Sequence, residues 1–339
     1  MKIGVVGASG YTGGELLRLI DLHPSFEVVT ISAHSNAGEF ITTLHPQLSQ
    51  YAGKKFSALD VKALNACDLV FLALPHGQSA AVVSQLSQDL PIIDLGADYR
   101  LADQVAWKKY YGGDHAGTWT YGLPELNGQR EQIKASKRIA NPGCYATAIA
   151  LASAPILDVV QASDIVVVAA SGTTGAGRSA KVSLLGSEVM GSLSSYKFGG
   201  VHQHTPEIEQ ALSHVCGKNV KISFTPVLAP MPRGILATVT AVLSENISQD
   251  NLREMFNKYF DSSEFVSLLV KDQMPRTSSL TGSNYVHLQC AIDTHTNRVV
   301  VSVAIDNLGK GAAGQAIQNA NLIMGLDESA GLLVKGLGV

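Results

Sequence analysis
The 339-residue sequence has 25 Lys plus Arg against 28 Asp plus Glu, a net charge of -3, and is 46% hydrophobic but only 16% charged. This excludes a disordered chain, which lacks apolar content, and a coiled coil, which needs charge-rich heptads. The near-neutral balance gives no electrostatic reason to expect nucleic acid or an anionic membrane as partner.

At roughly 150 residues per domain, the length predicts two domains. The apolar run Lys2 to Val6 ends in glycine and is expected to be a buried strand, not a signal peptide. No apolar run reaches the roughly 18 residues of a membrane span. Phe26 to Ser32, Asp68 to Leu74 and Pro91 to Leu95 are further apolar runs, separated by amphipathic stretches. Such strands alternating with helices predict a Rossmann-type, doubly wound α/β domain with a parallel sheet. Beyond Cys144 the segments Asp164 to Ala170, Val220 to Val227, Gly234 to Leu243, Tyr285 to Ile292 and Arg298 to Ala304 predict a second, α+β domain with a mainly antiparallel sheet. The alanine- and glutamine-rich stretch from Lys310 to Leu326 has helical spacing and is expected to pack back on the first domain. The expected division is 1–143, completed by about 306–339, and 144–305. Cys67, Cys144, Cys216 and Cys290 are far apart and form no Cys-x-x-Cys. Neither a disulfide framework nor a metal site is expected, and the cytoplasm is the expected compartment.

The first strand runs into Gly7-Ala8-Ser9-Gly10-Tyr11-Thr12-Gly13-Gly14 and then a helical pattern. Glycines allow a tight turn and close approach, and a helix N-terminus offers N–H groups to a pyrophosphate, so this turn is expected to bind a dinucleotide. The second strand ends Thr30-Ile31-Ser32-Ala33-His34-Ser35-Asn36, with no acid until Glu39. A carboxylate there would favour NAD by accepting from the ribose hydroxyl; hydroxyls and His34 suit a 2′-phosphate, so NADP(H) is expected.

Asn141-Pro142-Gly143-Cys144 precedes an alanine-rich helical run. Asn141 is the expected N-cap and Pro142 the first helical residue, which places Cys144 in the first turn. There the helix dipole and N–H groups favour the thiolate, so Cys144 is the candidate nucleophile. A thiolate beside a nicotinamide site implies acyl transfer to sulfur coupled to hydride transfer, which requires an acid/base. The cluster Tyr196 to Ile208 contains His202-Gln203-His204-Thr205-Pro206-Glu207. It reads as a catalytic loop with Thr205 capping a helix and Pro206 starting it. Ser171-Gly172-Thr173-Thr174-Gly175-Ala176-Gly177-Arg178 reads as an anion-binding loop or a mobile surface loop.

Together these residues resemble the N-acetyl-gamma-glutamyl-phosphate reductases, relatives of the aspartate-semialdehyde dehydrogenases. Further carrying blocks are Leu74-Pro75-His76-Gly77, Asp94 to Leu101, Tyr121-Gly122-Leu123-Pro124-Glu125 and Asp306 to Gln315. The resemblance implies NADPH-dependent reduction of an acyl phosphate to a semialdehyde in arginine biosynthesis, with release of inorganic phosphate. It implies that Cys144 forms a thioester, that His202 is the acid/base, and that Tyr196, His204 and Glu207 support it. Arg100, Ser171 and Arg178 would hold substrate. Gly7, Ser9, Gly10, Tyr11, Thr12, Gly13, Ser32, Ser35, Pro75, Gly175 and Asn307 would hold NADP(H). The second domain would be the catalytic and oligomerisation domain of a homo-oligomer, a tetramer or dimer. Gln203 and Thr174 stand where the family commonly has a basic residue and serine. Alternative readings are an aspartate-semialdehyde dehydrogenase, a reductase of a carrier-bound lysine precursor, or an NADP-sensing regulator.

Overall fold
A computed structural model describes residues 1–338 and divides the chain into two compact units. The first comprises residues 1–124, 128–142 and 312–333; the second comprises 125–127, 143–311 and the C-terminal segment from Val334.

The first unit is a six-stranded sheet of β1 (Lys2–Val6), β2 (Glu27–Ser32), β3 (Leu69–Leu72), β4 (Ile92–Asp94), β5 (Thr120–Tyr121) and β6 (Arg138–Ala140). The order is β2-β1-β3-β4-β6-β5, and every pairing is parallel. All four residues of β3 are buried, as a strand covered on both faces requires. Helix Tyr11–Asp21 buries Leu16, Leu17, Leu19 and Ile20. The late helix Gly314–Ile323 packs against it, against helix Gln129–Lys134 and against β4. Its Asn319 is buried but bonded: Nδ2 donates to Gly122 O at 2.9 Å and to Asn141 Oδ1 at 3.0 Å.

The second unit is a mixed, mainly antiparallel sheet of β7 (Val160–Ser171), β8 (Ser194–Ser195), β9 (Ile222–Leu228), β10 (Ile235–Leu243), β11 (Val266–Leu268), β12 (Val286–Asp293) and β13 (Arg298–Ile305), ordered β11-β12-β13-β10-β7-β9-β8. Only β7–β9 and β11–β12 pair in parallel. Burial alternates along β10, with Ala237, Val239 and Ala241 inward. Helix Cys144–Ser153 lies against β10 and β13, and helix His204–Cys216 lies against it in turn. No helix among the described residues is long and apolar enough to cross a membrane.

Candidate active site
In the first unit, the glycine turn follows β1 directly. Gly7 has φ +81, and a Cβ there would stand 2.3 Å from Ala73 O, so only glycine fits. Its N–H and that of Ala8 both donate to Ser32 O at 3.0 Å, tying the turn to the end of β2. A Cβ on Gly13 would meet Gly7 O and Ala8 Cα at 2.6 Å, so the third glycine allows helix and turn to pack closely. Above Gly10 a Cβ would find only Gly7 O at 3.7 Å. The start of helix Tyr11–Asp21, with Thr12 in its first turn and no acidic residue there, is therefore open to an anion beside Ser9 and Gly10. A dinucleotide pyrophosphate fits this cradle.

Sequence reasoning assigned His45 no role. Its Nε2 meets Ala8 O at 2.9 Å, and its ring occupies the space a Cβ on Gly14 would need. It braces the turn from below. The Pro75 loop is held by Asp98, whose carboxylate accepts from the N–H groups of Gly77, Ser79 and Ala80. Nearby Asp94 accepts from the Ser79 hydroxyl at 2.6 Å, and burial pushes its carboxyl up to about 6. Ser35 is exposed and bonds Asn36, whereas Ser32 is 1% exposed, so its hydroxyl lies inside the strand packing and only its carbonyl serves the turn. Arg100 is also buried, its guanidinium donating to Asn141 O and Leu95 O. It braces the end of β6.

In the second unit, the helix expected to start at Pro142 starts at Cys144, with Gly143 as its cap. The reason is tertiary: the Gly143 N–H donates to Glu207 Oε1 at 2.8 Å, and Asn141 is engaged with Asn319 and with Ala312 O instead of capping. Cys144 thus stands at the first position of the helix and is half-buried. The next helix likewise starts at His204 and not at Pro206. The His202 Nδ1 accepts the His204 N–H at 3.1 Å, so a histidine fills the capping role expected of Thr205.

These two helix starts gather the aromatic residues. Tyr145 stacks edge-on to His202 at 5.5 Å, His204 at 6.1 Å and Phe224 at 5.1 Å, and Tyr196 lies 5.8 Å from His202. The Tyr196 hydroxyl donates to the Tyr145 hydroxyl at 3.1 Å, which donates to Val227 O at 3.3 Å. Burial, with a contribution from the nearby Cys144 charge, pushes Tyr196 up to about 12 and Tyr145 higher still. Ser171 sits beside the Tyr145 hydroxyl. Cys144, Tyr145, Ser171, Tyr196, His202, His204 and Glu207 therefore form one constellation. Burial, then the Lys197 cation, push His202 down to about 4. Sequence reasoning missed Lys197. It adopts φ +43, uncommon for a side-chain-bearing residue, and its Nζ donates to Gln203 Oε1 at 2.7 Å. The Lys197 cation thus lies beside Gln203, a contact that no spacing rule signals.

The glycine loop after β7 is a 3-10 turn over Thr173–Ala176. Gly172, Thr173 and Thr174 spend their N–H groups on carbonyls of Gly234, Met231 and Pro232. Asn307 accepts from Gly234 N–H at 2.7 Å and donates to the Thr174 hydroxyl at 3.0 Å, and Gly175 lies beside it. The N–H groups of Gly172, Thr173 and Thr174 are thus used within the fold, and the loop's exposed cation is Arg178.

Residues 2–136 match the family model described as semialdehyde dehydrogenase, NAD binding domain, and residues 144–307 that described as semialdehyde dehydrogenase, dimerisation domain. The N-acetyl-gamma-glutamyl-phosphate reductase of Acidothermus cellulolyticus is 55% identical over 338 residues, covering 99% of this chain and 98% of its own. The chain belongs to the N-acetyl-gamma-glutamyl-phosphate reductase family. A reductase of the same name from Salinispora arenicola is 54% identical, with 99% of both chains covered. Among solved structures, aspartate semialdehyde dehydrogenase II of Vibrio cholerae superposes with a TM-score of 0.71 at 16% identity, covering 95% of this chain and 98% of its own. The Candida albicans aspartate semialdehyde dehydrogenase, solved with NADP, gives 0.67 at 15% identity, covering 95% and 98%. These two likenesses concern the fold alone. This reductase is an oxidoreductase with a nicotinamide-dinucleotide-binding domain.

Proposed function
We propose that the enzyme reduces N-acetyl-L-glutamyl 5-phosphate to N-acetyl-L-glutamate 5-semialdehyde in arginine biosynthesis, with NADPH as reductant. The observation that carries this is Cys144 at the first position of a helix, within the same constellation as His202. The Cys144 thiolate attacks the acyl carbon; a C–S bond forms and the C–O bond to phosphate breaks, releasing inorganic phosphate. NADPH, when bound, supplies the hydride that reduces the thioester carbon. The thiohemiacetal then collapses, the C–S bond breaks, and the aldehyde leaves with the thiolate restored. Because Nδ1 of His202 accepts the His204 N–H, its neutral ring carries the proton on Nε2, which serves as the donor to the substrate oxygen. Glu207 holds the Gly143 N–H and so fixes the start of the Cys144 helix. The test is turnover in reverse with the semialdehyde, NADP and phosphate or arsenate. Activity on aspartate semialdehyde or a carrier-bound substrate in its place would overturn the assignment.

The choice of NADP(H) over NAD(H) rests on the end of β2, where His34 and Ser35 are exposed and no carboxylate precedes Glu39. NADPH is expected to bind more tightly than NADH in a fluorescence titration; equal or tighter NADH binding rejects the choice.

The enzyme works in the cytoplasm as a homo-oligomer, dimer or tetramer. Its four cysteines are free thiols, which suits a reducing compartment. Helices cover one face of the seven-stranded sheet, while Val166, Val168 and Leu236 stand exposed, as do Val182, Met190, Leu193 and Phe198 in the following arm. A second copy burying this apolar surface is the expected partner. A monomeric mass by light scattering would remove this part of the proposal.

A further inference from the structure
The main chain departs from regular helix geometry just before the late helix, in a turn that the reaction scheme does not use. Residues Gly309–Ala313 form a π turn immediately before helix Gly314–Ile323. Such turns are rare and occur frequently at functional sites. This one is pinned by a wholly buried ion pair: Lys310 Nζ donates to Glu125 Oε1 at 2.6 Å and lies 5.8 Å over the Phe265 ring. Two charges held away from water do not by themselves stabilise a fold more than apolar residues of the same volume would, so a pair kept in that setting calls for a role in placement. The turn is fixed on its other side by Asp306, which is fully buried. Its carboxylate accepts from the N–H groups of Leu308, Gly309 and Gly282 and pairs with Arg233, and its carbonyl accepts the Gly311 N–H at 2.9 Å. Between these two anchors Gly311 is pressed against the nucleophile. A Cβ on Gly311 would stand 2.8 Å from Cys144 Cβ, closer than real Cβ atoms approach, and 3.3 Å from Cys144 Cα.

We propose that the π turn Gly309–Ala313, anchored by the Lys310–Glu125 pair, is the seat that places the Cys144 thiol, which makes Gly311 and Lys310 positioning residues for the nucleophile. The proposal rests on the reading of Cys144 as nucleophile given above. An extra carbon at position 311 pushes the Cys144 backbone off the seat and moves the sulfur relative to the helix start that favours its thiolate.

Two variants of the full-length enzyme test this. Gly311→Ala adds the clashing carbon. The paired substitution Lys310→Met with Glu125→Leu removes the anchor without leaving a buried charge alone, and keeps the question open to measurement if Gly311→Ala does not fold. Four quantities are read: kcat and KM for the acyl phosphate, the affinity for NADPH, and the rate of Cys144 alkylation by iodoacetamide at pH 7 and pH 10. Both variants are expected to lose about 100-fold in kcat, the cost of a small misplacement of a reacting group, with KM and NADPH affinity nearly unchanged. Alkylation is expected to slow about tenfold at pH 7 and to recover at pH 10, where the thiol is ionised wherever it sits. Wild-type kcat and a wild-type alkylation profile in either folded variant overturn the proposal. A fall in kcat together with a raised KM and a weakened NADPH affinity does so as well, because that pattern marks general loss of structure. Failure of the underlying reading is separable: it appears as retained turnover in Cys144→Ser, whereas the alkylation profiles report on the seat itself.

Discussion

Cys144→Ser is expected to abolish turnover in the reverse assay, by on the order of 10⁴-fold or more, while leaving the fold intact. The substitution is nearly isosteric at a half-buried position, so the thermal midpoint should stay close to that of the parent. The chemistry is what changes. A serine hydroxyl at the start of a helix stays protonated near neutral pH, whereas the same helix start favours a thiolate. An oxygen ester also resists hydride addition more than a thioester does, so both the acylation and the reduction half-reactions suffer. NADPH should bind the variant as tightly as the parent, because the glycine turn lies in the other unit of the fold. Comparable turnover in the two proteins would sink the thioester mechanism.

His202→Asn is expected to lower kcat by roughly 10²–10⁴-fold, the contribution of a positioned general acid/base, with little change in KM. A loss confined to KM would transfer His202 to a binding role. The same variant carries a pH signature of known sign. The folded-state value of His202 lies near 4, below the ordinary 6.5, chiefly through burial and then through the Lys197 cation. Between these values the unfolded chain binds the proton more readily than the folded one. The parent's stability is therefore fully present above pH 6.5 and falls as the pH drops toward 4, by at most about 3 kcal/mol for this group. Asparagine does not titrate, so any stability advantage of the parent over His202→Asn should shrink between pH 7 and pH 4.5. Urea midpoints at the two pH values check this, and a difference that does not change with pH contradicts the placement of a neutral, buried imidazole.

Local order was legible where a local rule applies. An apolar run ending in Gly7, followed at once by a helical pattern, permits few conformations besides a strand, a tight turn and a helix, and that is what forms. Cys144 just after Pro142 and Gly143 was legible as a first-turn residue for the same reason, although the helix starts two residues later than Pro142. Caps were misjudged at both helices because capping is a competition. Asn141 has the right side chain, but amide and carbonyl groups of the late helix region take it. Thr205 has the right hydroxyl, but His202 already accepts the N–H of His204. Arg100 was a candidate for substrate contact through the family resemblance, and Ser32 for cofactor contact through its place at the end of the second strand. Both side chains are buried: the Arg100 guanidinium donates to Asn141 O and Leu95 O, and the Ser32 hydroxyl lies within the strand packing.

The sequence by itself determined the two-part α/β and α+β architecture, the phosphate-type glycine turn and the family, because each depends on periodicity or on residue types close together in the chain. Tertiary structure alone decided what surrounds Cys144. Glu207 reaches Gly143 across 64 positions, Lys310 reaches Glu125 across 185, and Gly311 meets Cys144 without any signal in spacing or composition. The physical reason is that a buried charge or a close backbone approach is satisfied by whichever group the packed chain brings near, and that partner is chosen by the fold and not by neighbouring residues.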